Sequence, residues 1–137
     1  MHSDQMLAIR QQVARYSYTF DSGDAEGWAN VFTKDGIWEF YAAGATTPAT
    51  RLVGHDALRD FCLSRFTSRP KGMTSYHHQS GIIFDELTTN QAKVRAMVII
   101  TTQPLGEQPR LYMTGIYEDL WVLEDNTWLI KYRVLRP

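Results

Sequence analysis

From Thr74 to Leu135 the chain reads as four long strand-like segments in a row. They run Thr74 to Asp85, Ala92 to Gln103, Arg110 to Leu123 and Thr127 to Leu135, rich in β-branched and aromatic residues. The joints are short: Glu86 to Gln91, Pro104 to Pro109, and Glu124-Asp125-Asn126. Short joints suit antiparallel neighbours, because parallel ones need a crossover of roughly a dozen residues. The expected product is a consecutive antiparallel meander, and a curved sheet of that kind must bury one of its faces.

The N-terminal half supplies the cover. Met6, Ile9, Val13, Tyr16 and Phe20 recur at steps of three and four, one stripe of an amphipathic helix, with Arg10, Gln11, Gln12 and Arg15 mostly elsewhere. Asp21-Ser22-Gly23-Asp24 ends it, and Asp24 or Ser22 can cap a second, short helix carrying Trp28, Val31 and Phe32. Lys34-Asp35-Gly36 signals a turn before an aromatic strand, Ile37 to Tyr41. Ala42 to Val53 reads as a small-residue loop, and Gly54-His55-Asp56 opens a third helix with Leu58, Phe61, Cys62, Arg65 and Phe66 along one side. The fold class is therefore α+β: a curved, mostly antiparallel sheet wrapped around a long N-terminal helix with two further helices, an α+β cone with a conical space inside. No repeat, low-complexity stretch or composition break divides the chain, so residues 1–137 are expected to form a single domain.

Composition narrows the partners. A net charge of -1 with both signs interspersed gives no electrostatic case for nucleic acid or an anionic membrane surface. The longest apolar run, around Ala96 to Ile100, is far short of the ~20 residues that span a bilayer. No secretory signal opens the chain, and one cysteine, Cys62, cannot form an internal disulfide, so a cytoplasmic location is expected. Four Trp, seven Tyr and six Phe put several hydroxyls near the core, which suits a polar-lined pocket or a dimer interface equally.

Several segments are recognisable together. Arg15-Tyr16, Phe20-Asp21-Ser22-Gly23-Asp24, Trp28 and Phe32-Thr33-Lys34-Asp35-Gly36 form one run; Gly54-His55-Asp56-Ala57-Leu58 starts the third helix. His77-His78-Gln79-Ser80-Gly81, Gly115 to Asp119 and Trp128 to Arg133 lie in the strands. In this order they resemble the NTF2-like (cystatin-like α+β cone) superfamily, and within it the SnoaL-like and scytalone-dehydratase-like branch. The resemblance covers nearly the whole chain. It implies a pocket in which an Asp of the first helix and a His of the long strand form a dyad, as in dehydratases, cyclases and isomerases, several of which use no metal or organic cofactor. One departure stands out: the position four after the histidine, often Asn in relatives, is Gly81.

Asp21 falls where the helix macrodipole disfavours negative charge by ~0.3–1 kcal/mol, so a compensating partner is expected. Its carboxylate could orient a histidine; alternatively it makes an Asx-turn onto Gly23. His77 is the candidate general base, since imidazole titrates near ~6.5 when unperturbed and can take and return a proton. His78 competes, because adjacent strand residues point to opposite faces and only one can enter the cone; the branch's spacing selects His77. Tyr16 is buried by the stripe and could donate to a substrate carbonyl or enolate, or pack as core. Trp38, Phe40, His78, Tyr117 and Trp121 are expected around the substrate, and Arg133 could pair with a substrate carboxylate or a sheet-edge acid. No metal-ligand spacing, phosphate loop or nucleophile elbow is present, so no metal and no cofactor are expected. The sequence thus points to a cofactor-independent lyase or isomerase, of dehydratase or double-bond isomerase or cyclase type, on a small hydrophobic ring compound such as a steroid, polyketide or aromatic catabolite. The alternative is a non-catalytic binding or oligomerisation module, such as a dioxygenase small-subunit-like protein. Dimerisation through the outer sheet face is expected under either reading.

Overall fold

The computed structural model, which describes residues 2–137, contains three helices and six strands. Helix α1 (His2–Ser22) precedes α2 (Ala25–Ala29), β1 (Phe32–Phe40), β2 (Thr50–Val53) and α3 (Gly54–Thr67). Four long strands follow: β3 (Thr74–Leu87), β4 (Gln91–Gln103), β5 (Arg110–Glu124) and β6 (Thr127–Arg136). They form one sheet in the order β2-β1-β6-β5-β4-β3, antiparallel throughout except for the β1–β6 pair. The meander expected from the short joints is therefore present, and the α+β class with it.

The inner face is written into β4 by strict alternation: Ala92, Val94, Ala96, Val98 and Ile100 are buried, and the residues between them are exposed. Across the pairing with β5, small meets large, Ala96 opposite Tyr117 and Ala92 opposite Trp121. Two large rings thus fit beneath one layer of helices without crowding. On α1 the buried positions are Ile9, Val13 and Tyr16 together with Gln12 and Ser17. Gln12 thus departs from its expected polar side; its Nε2 donates to the Trp128 carbonyl at 2.9 Å, which satisfies the buried amide.

Three boundaries differ from the sequence reading. Helix α2 stops at Ala29, so Val31 and Phe32, expected on it, fall in the turn after it and at the start of β1, where both are buried. Thr50–Val53, expected as loop, pairs antiparallel with β1, Ile37 opposite Val53 and Phe40 opposite Thr50. Four residues are too few to show a period of two in sequence. The turn expected at Lys34-Asp35-Gly36 is instead an irregularity inside β1, where the register against β6 shifts between Phe32 and Ile37. Among the described residues no helix is long and apolar enough to cross a membrane.

Candidate functional site

Helix α1 ends at Ser22 on a left-handed Gly23 (φ 76°), and the Asp24 amide closes back on the Thr19 carbonyl at 2.9 Å. This stop aims the Asp21 side chain away from the helix and toward β3, with no Asx-turn onto Gly23. Strand β3 is the last of the sheet, so alternate amides face away from β4. Asp21 Oδ2 accepts the His77 amide at 2.8 Å, and Oδ1 lies 2.6 Å from His77 Nδ1. A carboxylate can only accept, so in the neutral ring Nδ1 carries the proton and Nε2 the lone pair. Nε2 has no hydrogen-bond partner among the described residues. The two side chains are each 9% exposed. The Phe20 ring meets the imidazole edge-on at 5.1 Å and Tyr16 does so at 6.4 Å, fixing its plane. The compensation that Asp21 needs at a helix C-terminus comes from this contact and from Arg69, whose Nη1 donates to the Asp21 carbonyl at 3.1 Å.

His77 borders a cavity of about 410 Å³ between the helices and the inner sheet face. Tyr16, Phe20, Trp38, Phe40, Phe61 and Tyr117 supply aromatic walls, and Ile100, Met113 and Leu135 complete the apolar lining. Arg65, Ser68, Arg69, Ser75, Thr102 and Tyr112 add polar groups to the lining. A second hollow of about 590 Å³ lies on the other side of His77, bordered by Asp21 and by exposed Tyr18, Tyr76 and His78. His77 thus borders both hollows, and Asp21 borders only the second.

Within the cone the phenols form a chain. Trp38 Nε1 donates to the Tyr16 hydroxyl at 3.0 Å, and Tyr16 donates onward to the Tyr117 hydroxyl at 3.3 Å. Burial pushes the pKa of both phenols up, against the lowering influence of nearby Arg133, so both stay O–H donors at neutral pH. Beneath them the Arg133 guanidinium lies 3.7 Å from the Tyr117 ring centre and 4.3 Å from that of Tyr16. Arg133 Nε and Nη2 grip the two Asp119 oxygens at 2.7 and 2.8 Å, and Nη2 also donates to Gln79 Oε1 at 3.1 Å. Burial works against its charge, and Asp119 more than offsets that, holding the pKa above the ordinary arginine value.

The cavity brings together Tyr16, Trp38, Phe40, His77 and Tyr117. Three expected substrate contacts lie elsewhere. His78 follows His77 by one residue and so faces outward, 2.9 Å from Thr101 Oγ1. Trp121 is fully buried beyond the cavity lining, its Nε1 donating to Asp119 Oδ2 at 3.1 Å. Arg133 is fully buried against Asp119 of the neighbouring strand and does not line the cavity; its Nη1 has no partner among the described residues.

Gly81 lies at φ 58°, exposed, where the β3–β4 register shifts between Ser80 and Ile83. Glycine tolerates that left-handed backbone, and Gly81 is not among the residues that line the cavity.

Asp119, Arg65 and Arg69 escaped the sequence reading. Asp119 shares a strand face with Tyr117 and Trp121, and a carboxylate between two inward aromatics was the available signal. Arg65 stood on the apolar stripe of α3, a cation where an apolar residue was due. Arg69, beyond the helix end, carried no such signal.

The SnoaL-like domain profile matches residues 1–134. No curated protein matches the sequence. Among solved structures, a scytalone dehydratase-like protein from Novosphingobium aromaticivorans is 28% identical with a TM-score of 0.76, over 96% of this chain and 83% of that one. A Mycobacterium tuberculosis protein of unknown function is 27% identical with a TM-score of 0.83, over 96% of this chain and 70% of its own. A dioxygenase β-subunit-like protein, also from Novosphingobium aromaticivorans, shares the fold at 19% identity, with a TM-score of 0.80 over 94% of this chain and 86% of that one. The match along almost the whole chain identifies this protein as a member of the SnoaL-like domain family.

Proposed function

We propose that this protein is a lyase or isomerase that works by proton abstraction on a hydrophobic cyclic substrate. The observation that carries the reading is the Asp21–His77 couple bordering the aromatic cavity, with Nε2 unpaired among the described residues. In this scheme His77 Nε2 takes a proton from the carbon beside a carbonyl, and the C–H electrons move onto the carbonyl oxygen. The Tyr16–Tyr117 chain, kept protonated by burial, donates to that developing enolate. Asp21 holds the tautomer and steadies the imidazolium. When a hydroxyl sits on the next carbon, the imidazolium returns its proton to that oxygen and water leaves. Otherwise the proton returns at another carbon, and the double bond has moved.

The alternative is an assembly or binding subunit, suggested by the fold shared with the dioxygenase β-subunit-like protein. Such a role has no use for an oriented imidazole beside a ligand-sized cavity, so the enzyme reading is favoured. Under both readings exposed Tyr76, Met97, Ile99 and Ile116 on the outer sheet face suit a homodimer, which light scattering of the purified protein would test. A panel of cyclic β-hydroxy ketones offered to wild type and to His77→Ala tests the chemistry. Turnover by the wild type alone is expected, and equal turnover by both proteins would overturn the mechanism.

A further inference from the structure

The cavity lining contains Arg65 and Arg69 and no Asp or Glu. Neither arginine takes part in an ion pair among the described residues. Arg69 uses Nη1 on the Asp21 carbonyl, and its other N–H groups have no partner within the described chain. Arg65 donates to none. Each guanidinium instead lies over a phenyl ring, Arg65 5.7 Å from the centre of Phe61 and Arg69 4.9 Å from that of Phe66. Rings restrict where a guanidinium can point but leave its N–H donors unused. Arg65 is exposed and Arg69 half-buried, so water solvates both when the cavity is empty, and a bound anion would replace that water with a charge partner.

We propose that the substrate carries a carboxylate beside its ring system, and that Arg65 and Arg69 bind it while the ring enters the aromatic part of the cavity. The inference rests on the reading that the cavity is the substrate site. A carboxylate offers two coplanar oxygens to the fork of a guanidinium, and Ser68, Ser75, Thr102 and Tyr112 add hydroxyls nearby. The position also bears on chemistry. Arg69 holds the backbone of Asp21 directly, so an anion fixed there is set at a defined distance from His77. The specificity groups would then be Arg65 of α3 and Arg69 just beyond its end, and Arg133 would serve only to support the phenols.

Calorimetric titration of the full chain with 2-naphthoate, methyl 2-naphthoate and 2-naphthyl phosphate tests this without requiring turnover. In wild type the acid should bind about tenfold tighter than its ester or more, the scale of one charge-assisted hydrogen bond, and the margin should shrink with added salt. The Arg65→Gln/Arg69→Gln double variant should bind acid and ester alike. Arg65→Gln, which leaves the contact to Asp21 intact, should lose part of the preference with unchanged melting. His77→Ala should keep it, so a failure of the proton-abstraction mechanism reads out separately. Equal binding of acid and ester by wild type, a preference surviving in both arginine variants, or tighter binding of the phosphate would overturn the proposal.

Discussion

Asp21 holds His77 at two points at once, Oδ2 on the backbone amide at 2.8 Å and Oδ1 against ring Nδ1 at 2.6 Å. One carboxylate thereby fixes both where the strand runs and which imidazole nitrogen faces the cavity. Orientation and folding share the same two oxygens, and this coupling determines how variants should behave.

His77→Ala and Asp21→Asn should each lower turnover by about 10²–10⁴-fold, the range for a positioned acid–base group. His77→Ala keeps the backbone contact to Asp21 but leaves Oδ1 unpaired, so it should lose some stability, less than Asp21→Ala does. Asp21→Ala removes both contacts and should also cost about 1–3 kcal/mol, measured by urea unfolding. A variant that lost turnover only in proportion to lost folded protein would argue against a role in orientation.

Tyr16 and Tyr117 make stability sensitive to alkali. Burial raises both phenols above the ordinary value of 10.0, so the folded state binds protons that the unfolded chain releases. Their contribution is complete below pH 10.0 and is lost as pH rises further toward the folded-state values. Melting curves taken across that range should steepen their fall above this point, and Tyr117→Phe should flatten the fall.

Breaking the Arg133–Asp119 pair should be expensive. Both side chains are fully buried, and Asp119→Ala leaves a cation without its carboxylate beneath two phenols. A loss of about 3–5 kcal/mol is expected in urea unfolding, with partial recovery when Arg133→Met is added to Asp119→Ala. No recovery in the double variant would mean that packing rather than charge dominates the site.

Cys62 should resist thiol reagents while the chain is folded. Burial pushes its pKa up to about 11, with nearby Asp24 adding to the effect. A disulfide reagent at pH 8 should label it only in denaturant. Rapid labelling of the native protein would show that the α3 interface opens.

Gly81→Ala should cost about 1–2 kcal/mol, because a left-handed backbone penalises a β-carbon. Gly81→Asn should cost less, and neither should alter the affinity for a ring compound in the cavity. Chemical denaturation and ligand titration of the same samples check both halves of the statement.

The architecture was legible wherever periodicity was long. Alternation from Ala92 to Ile100 and the stripe Ile9, Val13, Tyr16 each repeat often enough to identify a buried face, and the short joints limited the order of strands. Thr50–Val53 failed that test by length, and Gln12 by chemistry, since its acceptor is a carbonyl more than a hundred residues away. The histidine pair shows the limit for the site. Period two dictated that one ring enters the cone and the other leaves it, but the side taken depends on the register of His77 opposite Ile100. For Arg133 the sequence leaves a substrate carboxylate and an acid of the sheet both open, because Asp119 becomes its neighbour only when β5 and β6 align.

The position of β3 at the end of the sheet has one more consequence. A long outermost strand carries a row of free amides that could template another chain. Here α1 lies along it: Asp21 occupies the amide of His77, and Gln79 reaches across to Ser17 Oγ and the Val13 carbonyl. Loosening α1 would therefore do more than disarm an imidazole. It would unzip the guard on a sticky border, and self-association into aggregates would follow.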